Sequence, residues 1–254
     1  FNLQLKDLNT SKGPAARITR GQADKYKYRR KMREKLEKTE NISLIQDCAE
    51  EILVENIKDS QNSSYEKKVI GIKTRLGIIY NAKAIVLATG TFLKGKIVIG
   101  DVTYSAGRQG ETSAEKLSDS LRDLGIKIER YQTATPPRLD KKTIDFSQLE
   151  ELKGEEHPRY FSIFTKKEKN NTVPTWLTYT SEKTIEVIKE MMKFSPIVSG
   201  IVNTHGPRHC PSIDRKVLNF PDKTKHQIFL EMESENSDEI YVNGLTTAMP
   251  AFVQ

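Results

Sequence analysis

The residues most able to do chemistry lie between Gly206 and Lys216, in the segment GPRHCPSIDRK. It combines the thiol of Cys210 with the imidazole of His209 and the guanidinium of Arg208. Nearby cations favour the thiolate, which is the nucleophilic form of cysteine. The flanking residues favour a reactive or cofactor-facing thiol, although a lone cysteine is more often a small buried apolar residue.

The elements around this segment predict how it is presented. Pro207 and Pro211 bracket the thiol and hold the backbone out of a helix. Ser212 follows at a position typical of a helix N-cap, ahead of residues 216–218. A loop that leads into a helix start is an ordinary binding site for phosphate or another anion. We therefore expect a stiff turn beside an anion site.

The segment also has residues that could form a zinc site or a dinucleotide site. His205, His209 and Cys210 have the side chains of a zinc site, but Gly206 and Pro207 break the helix that would align the two histidines. We therefore expect no metal. The glycine fingerprint of Rossmann dinucleotide sites is absent, so the residues alone do not identify a ligand.

A second candidate site lies at the end of an apolar run. Residues 84–88 predict a strand buried on both faces, following a meander of short strands at 42–46, 51–55, 69–74 and 77–80. The run ends at Thr89-Gly90-Thr91. In flavoproteins with two dinucleotide-binding domains, such a strand end passes close to the flavin nucleotide. A Cβ at Gly90 would then collide with the ligand.

The remaining elements alternate between helices and strands. Residues 14–38 predict a helix, capped by Ser11 or Thr10 and crowded with lysine and arginine. That basic surface is either a solvated helix face or a contact surface for nucleic-acid phosphates. Further helices are predicted at 113–124 and at 181–193, where Ser181 is the cap. Strands are predicted at 126–131, 173–180, 226–231, 239–242 and 245–249, with a hairpin turn at Asn243-Gly244. This interleaving predicts an α/β fold.

Composition limits the class of protein. The chain has 254 residues and a net charge of +7, from 41 lysines and arginines against 34 acidic residues. That balance suits a polyanionic partner or reflects a lysine-rich proteome. The chain begins with Phe1 and shows no signal peptide or long apolar run, so we expect a cytoplasmic piece of a larger protein. Two distant cysteines predict no structural disulfide.

Several composite motifs, in this order, resemble the GidA/MnmG family of tRNA-modifying flavoproteins. They are residues 8–15 with Arg17, Thr19-Arg20 and Gln22-Ala23-Asp24; residues 91–93 before Gly95-Lys96; residues 135–138 with 143–146; residues 206–213; residues 226–231; and Tyr241 with Asn243-Gly244.

The resemblance implies an α/β fold with two parts. One is part of an FAD-binding Rossmann-like domain with a small β-meander, and the other is an inserted α/β domain that binds a nicotinamide dinucleotide. On this interpretation residues 1–95 belong to the FAD-binding domain and residues 96–220 form the inserted domain. Residues 221–254 return toward the FAD-binding domain.

The resemblance also implies the site residues. FAD contacts are expected at Ala49, Gly90 and Ser113, and catalytic or orienting roles at Cys210, Lys12 and Arg138. The NAD(H) segment comprises Gly206, Pro207, Arg208, His209, Cys210, Pro211, Ser212, Ile213, Asp214, Arg215, Lys216, Val217, Leu218, Asn219 and Phe220. His209 replaces the tyrosine of most relatives and Arg215 an acidic residue, which affects the stacking and phosphate contacts expected there.

The activity implied is addition of a carboxymethylaminomethyl group to C5 of the tRNA wobble uridine. FAD, NADH and methylenetetrahydrofolate are the implied cofactors, and the implied partners are tRNA, a GTPase of the MnmE type and a second copy of the chain. Two alternatives stay open: a folate- and FAD-dependent tRNA uridine C5-methyltransferase, and a basic RNA-binding scaffold without chemistry.

Overall fold

The computed structural model describes residues 2–58, 65–165, 173–204 and 211–254. The predicted thiol Cys210 and its neighbours at 205–209 therefore lie outside the described residues. The structure divides into two compact units: unit 1 is Phe1–Leu44, Thr133–Val198 and Gly206–Gln254, and unit 2 is Ile45–Gln132 and Ser199–His205. The division predicted after residues 95 and 220 concerns which ligand each part binds, and it stays a prediction.

The described residues form strands and helices in mixed order, which confirms the α/β class. The strands are β1 (Asn2–Leu8), β2 (Ile18–Ala23), β3 (Ala49–Lys58), β4 (Tyr65–Thr74), β5 (Ile79–Asn81), β6 (Lys96–Ile99), β7 (Val102–Ser105), β8 (Arg138–Asp140), β9 (Glu150–Leu152), β10 (Thr175–Tyr179), β11 (Gln227–Met232) and β12 (Glu239–Asn243). The helices are α1 (Lys25–Glu37), α2 (Leu117–Asp123), α3 (Glu182–Glu190) and α4 (Ile213–Asn219).

Unit 1 is built on a five-stranded antiparallel sheet in the order β8-β12-β11-β10-β9, with β1 and β2 forming a separate hairpin. Leu3 of β1 packs with apolar residues of β11 and β12, among them Ile228 and Ile240. A second apolar cluster joins α3 to α4 through Ile188 and Val217. These two clusters form the core of unit 1, because alternate strand residues and one helix face are apolar.

Unit 2 contains the predicted meander, formed by β3, β4 and β5, and the separate β6–β7 hairpin. Ile52 of β3 packs against Leu117 and Leu121 of α2. The meander is confirmed. The prediction of a strand at 42–46 is wrong, because β3 begins only at Ala49. The strand predicted at 126–131 is also not formed.

The apolar run at residues 84–88 forms no strand, which contradicts the prediction. Val86 is 91% exposed, and no described strand pairs with the run. A strand buried on both faces needs a neighbour to satisfy its backbone groups. Because the described residues offer none here, the run stays irregular.

Two predictions at other elements need correction. The helix predicted from residue 14 begins only at Lys25, because residues 18–23 pair with β1, and its cap is Asp24. The predicted hairpin at Gly244 is not formed, since residues 245–249 make no strand. Gly244 has φ +103°, and a Cβ there would lie 2.6 Å from Gln227 O. Glycine is therefore required where the chain leaves β12.

The predicted helix at 181–193 is confirmed over Glu182–Glu190, and the Ser181 hydroxyl accepts from the backbone N of Thr184. Within the described ranges, none of the helices combines the length and the apolar character that crossing a bilayer requires.

Candidate functional site

Three segments singled out in the sequence meet in unit 1: residues 135–138, 211–213 and 245–249. The backbone N of Ile213 donates to Thr246 O at 2.7 Å, and that of Thr247 donates to Thr135 O at 3.3 Å. The Thr246 hydroxyl donates to Pro211 O at 3.3 Å. We call this meeting point the motif junction. It fixes the backbone that directly follows Cys210 in the sequence.

A cavity of about 300 Å³ lies at the motif junction. Pro137, Ile213 and Thr247 line it from the three segments, and Ile188 of α3 and Met249 contribute apolar surface. Small-molecule sites are concave and mostly apolar with a few polar groups, and this volume is at the lower end of their range. The junction is therefore a candidate binding site in its own right.

The start of α4 lies beside the cavity. Ser212 occupies the N-cap position as predicted, but its buried hydroxyl has no hydrogen-bond partner among the described residues. Asp214, in the first turn, is fully buried and accepts a hydrogen bond of 2.5 Å from the Ser195 hydroxyl. A buried acidic side chain therefore already occupies this helix end. The described part of the NAD(H) segment thus gives no support for a phosphate at the start of α4.

The other described residues of the predicted NAD(H) segment divide by exposure. Val217 belongs to the core of unit 1, whereas Leu218, Asn219 and Phe220 are exposed. Pro211, Arg215 and Lys216 are half-buried, and the Lys216 ammonium donates to Gly244 O at 2.8 Å. Lys216 therefore ties α4 to the end of β12.

Arg138 is held firmly in unit 1. Its Nε and Nη2 donate to Glu233 Oε1 at 3.0 and 2.8 Å, and its Nη1 donates to Pro136 O and to the Thr135 hydroxyl. The guanidinium also lies 4.5 Å from the ring centroid of Tyr241. Four of its five N–H donors are thus engaged within the protein. This geometry gives Arg138 a clear structural role, while its catalytic role stays a prediction.

Lys12 lies in a different setting. It ends a short 3₁₀ turn, Thr10–Lys12, in the connection between β1 and β2, and it is exposed. No hydrogen bond or ion pair joins it to Arg138 in the part of the chain that the structure describes. The catalytic role of Lys12 also stays a prediction.

Sequence reasoning missed the acidic partners of the cations in unit 1. Glu231 pairs with Arg20 at 2.7 Å, and Glu233 binds both Arg138 and Lys25. Burial acts to raise the pKa of Glu233, but hydrogen bonds from Lys25 and Arg138 outweigh it, so this pKa lies below its ordinary value. The sequence signal for these ion pairs is the alternation of glutamates at 231, 233 and 235, together with the basic stretch that begins at residue 17.

In unit 2 the structure brings two of the predicted flavin contacts to one corner. Arg75 donates to Ser113 O at 2.9 Å and to Glu50 Oε1 at 3.1 Å, and Glu50 follows Ala49 at the start of β3. The Ser113 hydroxyl lies 2.8 Å from that of Ser105. Ala49 and Ser113 are therefore neighbours of a single arginine although they are far apart in the sequence.

Gly90, the third predicted flavin contact, is exposed in a turn. Its φ is +54°, which L side chains rarely adopt, and a Cβ there would meet nothing within 4 Å. Backbone conformation alone therefore accounts for glycine at this position. Close approach of a ligand stays a prediction.

Among the described residues, no group of three or more His, Cys, Asp or Glu side chains is placed to hold a metal ion. The zinc candidate weighed in the sequence, His205 with His209 and Cys210, lies outside those residues.

The family model described as glucose inhibited division protein A matches residues 1–254. The chain belongs to the GidA family. It is 94% identical over 254 residues to the tRNA uridine 5-carboxymethylaminomethyl modification enzyme MnmG 1 of Fusobacterium nucleatum subsp. nucleatum, covering all of this chain and 40% of that protein. It is 48% identical over 252 residues to MnmG of Thermodesulfovibrio yellowstonii, covering 99% of this chain and 39% of that protein.

Solved structures show the same relation. The form I crystal structure of Aquifex aeolicus GidA matches with a TM-score of 0.86 and 43% identity, over 99% of this chain and 41% of that one. The form II crystal matches with a TM-score of 0.84. The GidA fold is thus shown for this chain, which spans about 40% of the length of the relatives that it matches.

Proposed function

We propose that this GidA-family chain is part of a flavoprotein that adds a carboxymethylaminomethyl group to C5 of the wobble uridine in certain tRNAs. The observation that carries the proposal is the motif junction, where residues 135–138, 211–213 and 245–249 line one cavity. Residues 135–138 and 211–213 belong to two of the motifs that resemble the family, and they are brought together here although they are distant in the sequence. The names of the MnmG relatives supply the substrate and the group added.

The chain's own residues contribute positioning and one nucleophile. Thr246 binds Pro211 O, so the backbone next to Cys210 is anchored at the cavity. A thiolate there has the chemistry to add to a pyrimidine or to a cofactor-derived intermediate, and Arg208 in the same segment favours the ionised form. Catalytic roles for Lys12 and Arg138 belong to the same proposal.

The proposal includes three cofactors that the full-length protein would bind. FAD, NAD(H) and methylenetetrahydrofolate would supply the redox chemistry and the one-carbon unit, while the protein binds and orients them. FAD is assigned to Ala49, Gly90 and Ser113; Ser113 and the start of β3 at Ala49 lie beside Arg75 at one corner of unit 2. NAD(H) is assigned to residues 206–220. Its phosphates would be bound by groups of this segment other than the start of α4.

The partners proposed are tRNA, a GTPase of the MnmE type and a second copy of the full-length protein, in the cytoplasm. The charge of +7 supports a polyanionic partner.

The test replaces Cys210 with alanine in the full-length protein. We expect a deletion strain complemented with this variant to lack the carboxymethylaminomethyl nucleoside, because the proposed nucleophile is gone. Cys48→Ala is the control, since Cys48 is the other cysteine and a free, half-buried thiol. Nucleoside mass spectrometry of total tRNA is the measurement. Unchanged modification with Cys210→Ala would rule out the catalytic thiol.

The same measurement separates the alternatives. A methyltransferase would restore 5-methyluridine rather than a wobble modification. A scaffold without chemistry would restore neither nucleoside, although it would still bind tRNA.

A further inference from the structure

Asp7 of β1 holds two arginines side by side. Its Oδ2 accepts from Arg17 Nε and Nη2 at 3.0 and 2.8 Å, and from Arg159 Nη2 at 2.9 Å. Its Oδ1 accepts from the Thr19 hydroxyl at 2.8 Å. Hydrogen bonds from Thr19, Arg159 and Arg17 outweigh burial and keep the pKa of Asp7 below its ordinary value. One carboxylate therefore offsets two fixed positive charges, and the group keeps a net charge of +1.

The two guanidinium groups are accessible while their anchor is not. The side chains of Arg17 and Arg159 are 48% and 57% exposed, whereas that of Asp7 is only 6% exposed. Each guanidinium carries five N–H donors. Contacts with other described residues use two donors of Arg17 and one of Arg159, so most donors remain for a ligand. Paired guanidinium groups of this kind suit a phosphate.

An exposed aromatic ring lies on the same face of the β1–β2 hairpin. Phe161 follows Arg159 by two residues, and its ring edge covers Gly21 of β2, where a Cβ would lie 2.7 Å from Phe161 Cε2. Thr19 and Gly21 are on one face of β2, because alternate strand residues point the same way. An aromatic ring over a strand glycine is a common packing device, yet this ring stays 70% exposed.

We propose that Arg17, Arg159 and Phe161 form a contact site for single-stranded RNA, and the inference rests on the proposed function in which tRNA is the substrate. A backbone phosphate binds the two guanidinium groups and a neighbouring base stacks on Phe161. Proteins bind unpaired nucleotides through this combination of phosphate contacts and aromatic stacking. A duplex would use the charge but not the ring.

The test measures binding of a short fluorescein-labelled oligouridylate to the 254-residue chain by anisotropy, over a series of salt concentrations. Arg159→Gln removes one phosphate contact, so the slope of log affinity against log salt should fall by about 0.7. Arg17 still neutralises Asp7 in this variant. Phe161→Ala should weaken binding at least about fivefold and leave the slope unchanged, because base stacking is not electrostatic. Phe161→Tyr should keep the affinity.

Matched controls lie in the same unit. Lys153→Gln removes one exposed charge and should not lower the salt slope as Arg159→Gln does. Ile163→Ala removes one exposed apolar side chain and should not weaken binding as Phe161→Ala does. The proposal is overturned if Phe161→Ala binds like the parent, if Lys153→Gln lowers the slope as much as Arg159→Gln, or if equimolar NADH or FAD displaces the oligonucleotide. The binding assay does not depend on modification activity. A negative result in it would refute the RNA contact site alone, whereas retained nucleoside modification in the Cys210→Ala strain would refute the catalytic thiol.

Discussion

His226 shows how burial sets the pH response of a single residue. The ring is almost fully buried, and its Nε2 has no hydrogen-bond partner among the described residues. Burial lowers the pKa of His226 below its ordinary value of 6.5, and the charges of Lys223 and Lys216 add to the effect. The folded state therefore favours the neutral ring.

We predict that part of the stability of unit 1 is lost between pH 7 and pH 5. The folded pKa of His226 is depressed, so its contribution is complete above the unfolded value and declines as pH falls through the folded value. His226→Gln, which cannot be protonated, should show a smaller decrease in the urea midpoint over this interval. His157→Gln, at an exposed histidine, is the control. Equal decreases in the parent and in His226→Gln would contradict the assignment.

The contacts of a residue were harder to predict than its type. The family resemblance identifies Arg138, but its partner Glu233 is 95 positions away in the sequence. The hydrogen bond between Asp7 and Arg159 joins residues that are 152 positions apart in the sequence. Such pairs depend on the tertiary fold, so single-residue patterns do not reveal them.

Asp24 connects two elements of unit 1. Its Oδ1 caps α1 by accepting from the backbone N of Lys27 at 2.9 Å, and its Oδ2 accepts from the Ser234 hydroxyl at 2.7 Å. Burial acts to raise the pKa of Asp24, but these hydrogen bonds and the charge of Lys27 lower it overall. The carboxylate therefore fixes the start of α1 beside the chain that leaves β11.

We predict that Asp24→Ala lowers the free energy of unfolding by about 1–3 kcal/mol, because the cap and the buried hydroxyl both lose their acceptor. Asp24→Asn should lose less, since its amide oxygen still accepts a hydrogen bond. Asp145→Ala is the control, because Asp145 caps only an exposed 3₁₀ turn. Urea denaturation checks the order of the three variants. A control as damaging as Asp24→Ala would refute the assigned cap.

Elements with local signals were predicted well from the sequence. Ser181 and the apolar spacing after it identify α3. Both signals lie within a few residues of one another in the sequence, so local pattern is enough to predict this helix. The sequence pattern predicts a helix for residues 18–23, because local pattern does not reveal that they pair with β1. The sequence shows the parts of the junction only as two separate motifs and a predicted strand, since their convergence is a property of the fold.

At the scale of the whole molecule, the run at residues 84–88 leads to Gly90, the proposed flavin contact, without forming a strand. We predict that the chain purifies with far less than one flavin per molecule, because the backbone leading to Gly90 is not held in a sheet. Flavin absorbance of the purified chain, before and after incubation with FAD, is the measurement. Stoichiometric flavin after purification would show that the run is ordered well enough to bind it.

Glu231 of β11 binds Arg20, while Leu230 and Met232 on either side of it belong to the apolar core. A slip of β11 by one residue would turn Glu231 toward the core face and separate it from Arg20. A buried carboxylate without a partner is strongly disfavoured. Glu231 therefore acts against mispairing: it selects one alignment of the central strand during folding by making the nearest competitor electrostatically unfavourable.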